Sequence, residues 1–385
     1  MKFEPTNIKG AIDVAFDTMT ARSRIFDVLK RNFESCGYLP LETAILNNLD
    51  LLTYKYDDNA EIVQEIYKLK DQGDRNLGLR FDLTVPFAKF IAMNPNLKMP
   101  FKRYEIGKVW RNGPVKSGRA REFYQCDIDA VGISGAFIEA EMILMAVKIY
   151  KTLGITPVVK YGNRKLLPYS AAVISILDKM AKVPHTELIA ELTKQHMTAA
   201  EAEKLVKDVK KTPKNDEIVA FESALKSVGI LEYCEYAPYL ARGLNVYTGT
   251  VWEVFDKNNA IQSSLGGGGR YDQIIGNFLG NGKQYPAVGM SFGLEPIMAV
   301  LSKNAAKTNQ KTGVVHSMLV PLGTEAWCLK YADKMRERGE NVLVYLGGKA
   351  LSKAFEYAAS YGIQKVGVIG EDEVNGKAIV FKEIK

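Results

Sequence analysis

Apolar residues recur at helical spacing in several parts of the chain. SRIFDVLKRNFESCG, residues 23–37, predicts a helix that ends at Gly37, and YLPLETAIL, residues 38–46, reads as extended chain leading into a polar loop. LGLRFDLTVPFAKFIAM predicts a strand that enters a helix, and AFIEAEMILMAVKIYKTLG predicts a further helix. The first part of the chain is therefore expected to mix helices and strands.

Two neighbouring segments alternate apolar and polar residues as strands do. They are KRYEIGKVWR and REFYQCDIDAVG, and the loop between them carries Gly113, Pro114 and Gly118. This pattern predicts an antiparallel hairpin with a mobile tip.

Changes in composition and in hydrophobic pattern along the sequence also predict its division into domains. Residues 166–237 read as short amphipathic helices rich in Ala, Lys and Glu, which indicates a helical insertion. Strand patterns resume in NVYTGTVWEVF, SLGGGGRYD and YPAVGMSFG, and the last of these runs into a helix. A first domain is expected over residues 1–301 and a polar, lysine-rich linker over residues 302–313. Residues 314–385 alternate as β-α-β-α-β, which is typical of a small α/β domain with a largely parallel sheet.

Composition narrows the class of protein. With 47% hydrophobic and 25% charged residues, the chain is expected to be globular. No window approaches the roughly 18 apolar residues of a membrane span, and MKFEPTNIKG lacks the apolar run of a signal peptide, so a cytoplasmic protein that contacts no membrane is expected. The net charge of +7 is compatible with a polyanionic partner, although many basic enzymes bind no nucleic acid.

Cysteine and histidine usage argues against several kinds of site. The four cysteines show no CxxC spacing, so neither a disulfide framework nor a thiolate zinc site is suggested. The three histidines, His185, His196 and His316, are far apart in sequence, which argues against a histidine-rich metal centre and gives a Ser-His-Asp triad little material. No metal-ligating residues are predicted.

The predicted hairpin holds the densest cluster of candidate chemistry. Its cations are Arg111, Lys116, Arg119 and Arg121. Guanidinium groups bind phosphate oxygens bidentately and keep their charge, so arginines beside a glycine-containing loop suit a polyphosphate. Phe123 offers a ring on which a purine could stack. A solvated basic hairpin is the alternative, and because the chain has no GxxxxGK[ST], any nucleotide site is not a P-loop.

Gln125 and Asp129 are separated by an even number of residues on one predicted strand. Their side chains therefore project from the same face, where an amide and a carboxylate could bind a cationic or donor-rich ligand. Burying Asp129 alone would cost several kcal/mol, so a partner is expected if it lies inside.

Five motifs together resemble the histidyl-tRNA synthetases, a family of class II aminoacyl-tRNA synthetases. They are RFDLTVP at 80–86, VWR with GRAREFYQCDID at 109–129, ARGLNVYTGTVWE at 241–253, GGGGRYD at 266–272 and VGMSFGLE at 288–295. They occur in the family's order, and the resemblance covers nearly the whole chain.

The resemblance implies an α+β fold and a reaction. The fold would be a class II catalytic domain, a mostly antiparallel sheet with flanking helices, carrying a helical insertion and followed by an α/β anticodon-binding domain. Histidine and ATP would form histidyl-adenylate and pyrophosphate, and the histidyl group would pass to the terminal ribose of histidine tRNA. Magnesium would bridge the ATP phosphates with few protein ligands, and two chains would form a homodimer.

The resemblance also gives roles to individual residues. Asp82 and Thr84 would bind the substrate's α-ammonium group with Gln125, and Asp129 and Tyr247 would hold its imidazole. Arg111 and Arg242 would approach the α-phosphate from opposite sides as catalytic groups, and removing the repulsion between two anions is the chemistry that this reaction needs. Arg119 and Arg121 would cover the distal phosphates of ATP, and Phe123 would stack on adenine.

Each role has a plainer alternative, and the sequence departs from the family in places. Asp82 could cap a helix, Arg242 could be surface charge at a turn, and the four glycines could form a flexible hairpin. Asn245 and Val246 replace an acid and a tyrosine of the family's RGLDYY, Ala120 stands at an aromatic position, and Pro296 stands where the family has an arginine that clamps the γ-phosphate. A catalytically inactive paralogue, such as the regulatory subunit of ATP phosphoribosyltransferase, is therefore a second hypothesis.

Overall fold

The computed structural model describes residues 4–54, 61–115, 120–180, 183–242, 246–305, 314–348 and 350–384. The chain divides into two compact units, one formed by Met1–Asp13 with Arg24–Asn304 and the other by Val14–Ser23 with Ala305–Lys385. The helices are α1 Phe16–Ser35, α2 Leu49–Thr53, α3 Glu61–Gln64, α4 Thr84–Met93, α5 Phe137–Thr152, α6 Ala171–Leu177, α7 His185–Thr193, α8 Ala199–Val209, α9 Asp216–Ser227, α10 Ile274–Phe278, α11 Leu294–Ala305, α12 Glu325–Glu337, α13 Leu351–Ser360 and α14 Glu371–Val374. The strands are β1 Leu39–Pro40, β2 Leu46–Asn48, β3 Lys68–Lys70, β4 Asn76–Leu79, β5 Phe101–Trp110, β6 Glu122–Val131, β7 Pro157–Asn163, β8 Cys234–Tyr236, β9 Thr250–Asp256, β10 Gly266–Arg270, β11 Ala287–Gly293, β12 Ser317–Pro321, β13 Val342–Val344, β14 Lys365–Ile369 and β15 Phe381–Glu383.

The first unit is built on an eight-stranded sheet in the order β1-β5-β6-β11-β10-β9-β7-β8. Its edge strands β1 and β8 pair in parallel, and the pairings between them are antiparallel, as the resemblance implied. The predicted hairpin is confirmed, because β5 and β6 pair from Phe101 opposite Val131 to Trp110 opposite Glu122. The expected mobile tip falls partly on residues 116–119, which lie outside the described residues.

Alternation along the central strands gives the sheet one apolar face. Cys126 and Ile128 of β6 and Phe292 of β11 are fully buried there. Helix α1 packs on this face through Ile25, Leu29 and Phe33, whose spacing of four residues places them on one side of the helix. The broad apolar surface of α5 covers more of the same core. The opposite face of the sheet is left for polar residues.

The short helices expected over residues 166–237 are α6 to α9, and polar side chains fix where several of them begin. Ser170 accepts from Val173 N and Asn215 accepts from Ile218 N at the starts of α6 and α9, and Thr198 forms a capping box with Glu201 at α8. Helices α6, α7 and α8 share a small core of their own, whereas α9 packs on the core beneath the large sheet.

The second unit contains a four-stranded sheet in the order β13-β12-β14-β15. Strands β13 and β14 pair with β12 in parallel, as predicted, and β15 adds an antiparallel edge. The start of the expected linker at residue 302 needs correction, because helix α11 continues to Ala305 and Lys303 Nζ donates to the carbonyl of Ala260 at 2.7 Å. Residues 306–313 lie outside the described residues. In the part of the chain that the structure describes, no helix has both the length and the apolar character needed to cross a bilayer.

Candidate active site

The polar face of the large sheet has a floor of glycines at its centre. A Cβ atom on Gly267 would lie 2.5 Å from Arg242 Nη1, one on Gly269 would lie 2.7 Å from Tyr247 Cδ1, and one on Gly289 would collide with Asp129 Oδ1. The four-glycine run therefore forms a regular central strand, β10, and does not form the flexible hairpin that was the alternative. Gly267 and Gly269 of this strand make room for the side chains of the site.

Buried acids and arginines lie beside this floor. Asp129 is 2% exposed, and its Oδ1 accepts a hydrogen bond from the Tyr271 hydroxyl. Its Oδ2 makes an ion pair of 2.7 Å with Arg103 Nη2, although the contact is not aligned as a hydrogen bond. Arg103 also contacts Glu105, which pairs with Arg80 at 2.6 Å. The partner expected for a buried Asp129 is thus supplied by the protein itself.

Asp82 lies where the chain enters α4, and it is 3% exposed. Its Oδ1 accepts from the backbone N–H of Val85 at 3.1 Å, so the helix-capping alternative describes one of its contacts. Burial raises the pKa of Asp82 to about 6, against the lowering effect of this hydrogen bond and of Arg111 and Arg103. Thr84 is the first residue of the helix and is half-buried.

Asp127 lies on the same face of β6 as Gln125 and Asp129. Its neighbours across the sheet are Glu105 on β5 and Ser291 on β11. Asp127 is 4% exposed, and burial raises its pKa to about 7, against the lowering effect of Arg103. Among the described residues, Oδ1 of Asp127 and Oε1 of Gln125 are buried without a hydrogen-bond partner.

The two arginines predicted to be catalytic are held in different ways. Arg111 donates from Nε to the carbonyl of Phe81 at 3.0 Å, and its guanidinium lies 5.3 Å from the ring centroid of Phe123. Arg242 lies 5.6 Å from the ring centroid of Tyr247, and its backbone has a φ of 55°, in the left-handed region. Nη1 of Arg242 is buried and has no hydrogen-bond partner in the described chain.

Aspartate 178 anchors this unusual turn. Asp178 follows α6, and its Oδ1 accepts from the backbone N–H groups of Ala241 and Arg242 at 3.2 and 2.8 Å. The reading of Arg242 as surface charge at a turn does not fit its buried Nη1.

A cavity of about 320 Å³ brings many of the predicted residues together. Its wall includes Arg111, Phe123, Gln125, Ser291, Arg242, Glu295 and Pro296. Pro296 is the third residue of α11, a position in the first turn where proline costs no helical hydrogen bond. Tyr247 adjoins this cavity, because its ring centroid lies 5.6 Å from the Arg242 guanidinium. Burial raises the pKa of Tyr247, and Asp127 and Asp129 add to the rise.

Two of the predicted phosphate contacts are not placed at this cavity. Arg121 does not line it, and its Nε donates to the carbonyl of Gly113 at 3.2 Å. Arg119 lies outside the described residues, as do Lys116 and Asn245.

Several residues of the site were given no role from the sequence, although Asp127 was noted beside Asp129 as a carboxylate of the hairpin. Arg103, Glu105, Asp127 and Tyr271 all belong to strands or turns whose faces become known only once the pairing is known. A signal for Asp127 was present, because it is two residues from both Gln125 and Asp129 and therefore shares their face. Arg103 and Glu105 are likewise two residues apart on β5 and therefore share a face of the sheet.

Comparisons with known proteins agree with one another. A family model described as histidyl-tRNA synthetase matches residues 10–172 and 170–297. The histidine--tRNA ligase 1 of Bacillus cereus is 40% identical over 412 aligned positions, which cover 99% of this chain and 94% of that protein.

Solved structures give the same result for the fold. The crystal structure of histidyl-tRNA synthetase from Nostoc sp. PCC 7120 superposes with a TM-score of 0.80 at 25% identity, covering 99% of this chain and 95% of that chain. A structure from Bacillus halodurans described as an ATP phosphoribosyltransferase regulatory subunit/histidyl-tRNA synthetase superposes with a TM-score of 0.77, covering 96% of this chain and 99% of that chain. Its identity is 19%, so this second likeness concerns the fold alone.

Proposed function

Because this chain belongs to the histidyl-tRNA synthetase family, we propose that it activates histidine with ATP and transfers the histidyl group to the 3′ end of histidine tRNA. The observation that carries the proposal is the likeness to a histidine--tRNA ligase along 99% of the chain, together with a cavity that has Arg111 and Arg242 in its wall.

The two arginines suit the first step of this reaction. The carboxylate of histidine must attack the α-phosphate of ATP, and both groups are anions. Two guanidinium groups in one cavity wall lower this repulsion and stabilise the charge that develops on the pentavalent phosphorus. Among the described residues, Nη1 of Arg242 has no hydrogen-bond partner, and it is a donor of the kind that a phosphate or carboxylate oxygen needs.

The acids and the amide suit the amino acid. Asp82, Thr84 and Gln125 are proposed to bind the α-ammonium group, and Oε1 of Gln125, which has no hydrogen-bond partner in the described part of the chain, is an acceptor of the required kind. Asp129 and Tyr247 are proposed to form the imidazole end of the pocket, where Tyr247 can donate to or accept from a ring nitrogen.

The remaining side chains suit the nucleotide. Phe123 is proposed to stack on adenine and Arg119 and Arg121 to cover the distal phosphates. Arg121 would have to leave Gly113 to do so. Magnesium is proposed to arrive with ATP, since its preferred oxygen ligands are supplied by the phosphates and Glu295 adds a carboxylate to the cavity wall. The ion would neutralise phosphate charge there.

Several wider features are proposals that follow from the family. The α/β unit is proposed to bind the anticodon, two chains are proposed to form a homodimer, and the protein is proposed to work in the cytoplasm. Sedimentation as a monomer at micromolar concentration would contradict the dimer.

Exchange of labelled pyrophosphate into ATP tests the proposed reaction. Exchange is expected with histidine and with no other amino acid, and charging of histidine tRNA is expected with the same preparation. A protein that exchanges with none of the amino acids would instead support the inactive, regulatory paralogue.

A further inference from the structure

Thr248 is the neighbour of Tyr247 in the chain and is half-buried. Its backbone N–H donates to the carbonyl of Arg270 at 2.8 Å. Its hydroxyl oxygen accepts from the backbone N–H of Asp272 at 3.1 Å, and the hydroxyl donates to the carbonyl of Arg270 at 3.4 Å. Thr248 therefore joins the chain at Tyr247 to residues 270–272 at the end of β10, which we call the RYD segment.

The RYD segment carries a second tyrosine of the site. The hydroxyl of Tyr271 donates to Oδ1 of Asp129. Tyr247 packs on the same strand, because a Cβ atom on Gly269 would lie 2.7 Å from its Cδ1. The hydroxyl of Thr248 thus links the backbone beside Tyr247 to the backbone beside Tyr271.

The RYD segment is itself held by neighbouring elements. Nε of Arg270 donates to Oε1 of Glu139 at 2.8 Å, and Glu139 is 3% exposed on helix α5. Oδ1 of Asp272 accepts from the backbone N–H of Ala287 on β11 at 2.9 Å and from Nη1 of Arg270 at 3.3 Å. Side chains that are anchored to two elements keep the segment in one conformation, so hydrogen bonds to it also restrict Thr248.

This support matters for the substrate, because Tyr247 is proposed to hold the imidazole of histidine. A side chain that is already in its binding geometry loses little conformational entropy when the ligand arrives, and the affinity is higher for that reason. A tyrosine without this support would have to be ordered during binding, which lowers the affinity. Thr248 and the RYD segment are placed to prevent that loss.

We propose that Thr248 is a positioning residue for histidine binding, whose hydroxyl fixes Tyr247 against the RYD segment so that the phenol meets the imidazole ring. Thr248 acts through Tyr247 and makes no contact with the substrate itself. The inference rests on the proposed function, because it concerns a contact with that reaction's substrate.

Two substitutions at Thr248 separate the hydroxyl from the shape of the side chain. Thr248→Val keeps the branched shape but leaves the N–H of Asp272 without this acceptor. We expect the dissociation constant for histidine, measured by titration calorimetry, to rise by about 3- to 10-fold, the size of one neutral hydrogen bond. Thr248→Ser keeps the hydroxyl and should stay within about twofold of the parent protein. The KM for ATP in pyrophosphate exchange should change by no more than about twofold in either variant, whereas a general loss of structure would impair both substrates.

A double-mutant cycle tests whether Thr248 acts through Tyr247. Tyr247→Phe removes the hydroxyl that is proposed to meet the imidazole, and it should weaken histidine binding by itself. In the Tyr247→Phe background, Thr248→Val should weaken binding further by less than about twofold, because the contact that it positions is already gone. A structural brace with no link to Tyr247 would give the same loss in both backgrounds.

Thr53→Val is the matched control in the same unit. Thr53 is half-buried, and its hydroxyl donates to the carbonyl of Leu49 at 3.2 Å within helix α2. The substitution makes the same chemical change in a helix to which no substrate contact is assigned. Its dissociation constant for histidine should equal that of the parent protein.

The outcomes separate the inference from the proposed function. The role of Thr248 is overturned by an unchanged dissociation constant in Thr248→Val, by an equal loss in Thr248→Ser, or by the same loss in both Tyr247 backgrounds. A parallel rise in the KM for ATP overturns it as well. Histidine-dependent exchange by the parent protein would still support the proposed function in each of these cases. If titration calorimetry finds no histidine binding to the parent protein, both the inference and the proposed function fail.

Discussion

The carboxyl group of Asp127 should make the ligand-free protein sensitive to pH. Its pKa is about 7 in the folded protein and near 3.8 in the unfolded chain, so the folded state holds its proton more tightly. The stabilisation that comes from this tighter proton binding is fully present below about pH 3.8 and is lost as the pH rises through 7. Above pH 7 the folded protein therefore contains a buried charge that disfavours folding.

Asp127→Asn is expected to stabilise the ligand-free protein at pH 8, by about 1 to 3 kcal/mol, because the amide carries no charge. The advantage should shrink as the pH falls from 7 towards 4. Urea unfolding of both proteins across this range measures it. Asp256→Asn should be destabilised throughout, since it weakens two backbone hydrogen bonds. A constant difference between Asp127→Asn and the parent at every pH would contradict the assignment of the charge.

At the same scale, the sequence predicted which side chains share a face but not what they contact. Even spacing placed Gln125 and Asp129 together, and the cost of burying a carboxylate required a partner for Asp129. The partner turned out to be Arg103 and Tyr271. Arg103 lies opposite Asp129 through the β5–β6 register, and Tyr271 lies beyond the end of β10, so neither could be chosen before the strands were paired.

At the scale of elements, the predicted hairpin and the C-terminal β-α-β-α-β order were confirmed because alternation and turn residues are local signals. The role of the glycine strand was less accessible. Four glycines have high flexibility in isolation, and only the packed sheet shows why side chains are excluded from β10. Arg242 and Tyr247 occupy the space beside Gly267 and Gly269, and Tyr150 and Trp252 lie beside Gly266 and Gly268. The end of α11 at Ala305 was missed because the polar sequence after residue 301 does not reveal its contact with Ala260.

Asp178, in the helical insertion, accepts hydrogen bonds from the turn that carries Arg242. This contact gives a prediction at the scale of elements. Asp178→Ala removes the acceptor for two backbone N–H groups and should release the left-handed turn at Arg242. We expect kcat for pyrophosphate exchange to fall by about 10- to 100-fold, because a catalytic group displaced by about 1 Å can cost about 100-fold in rate. The KM for histidine should change much less.

Asp178→Asn is the matched variant, because its side-chain oxygen can still accept both hydrogen bonds. Its kcat should return close to that of the parent protein. If Asn and Ala lower kcat equally, or if Ala leaves it unchanged, Asp178 does not position Arg242.

At the scale of the whole molecule, the two units have separate cores and should be distinguishable by heat. Phe292 lies in the core of the sheet that carries the site, and Leu319 lies in the core of the second unit. Scanning calorimetry is expected to show two transitions, and histidine with ATP should raise only the one that belongs to the first unit.

Matched core substitutions identify the transitions. Phe292→Ala should lower the midpoint temperature of the transition that the substrates raise, and Leu319→Ala should lower that of the other transition. Each substitution is expected to reduce the free energy of unfolding of its unit by about 2 to 5 kcal/mol. A single transition that both substitutions and the substrates move together would show that the units unfold as one.

Helix α1 has a consequence for the order of synthesis. The helix is divided between the two units: its residues 16–23 group with the second unit and its residues 24–35 with the first. Phe16 belongs to the segment that groups with the second unit, and its ring centroid lies 5.9 Å from that of Tyr361. A ribosome makes Phe16 long before Tyr361, because almost the whole first unit lies between them in the chain. Domains of nascent chains generally fold from the N-terminus onward, but the beginning of α1 cannot find its native neighbours until the second unit has been made.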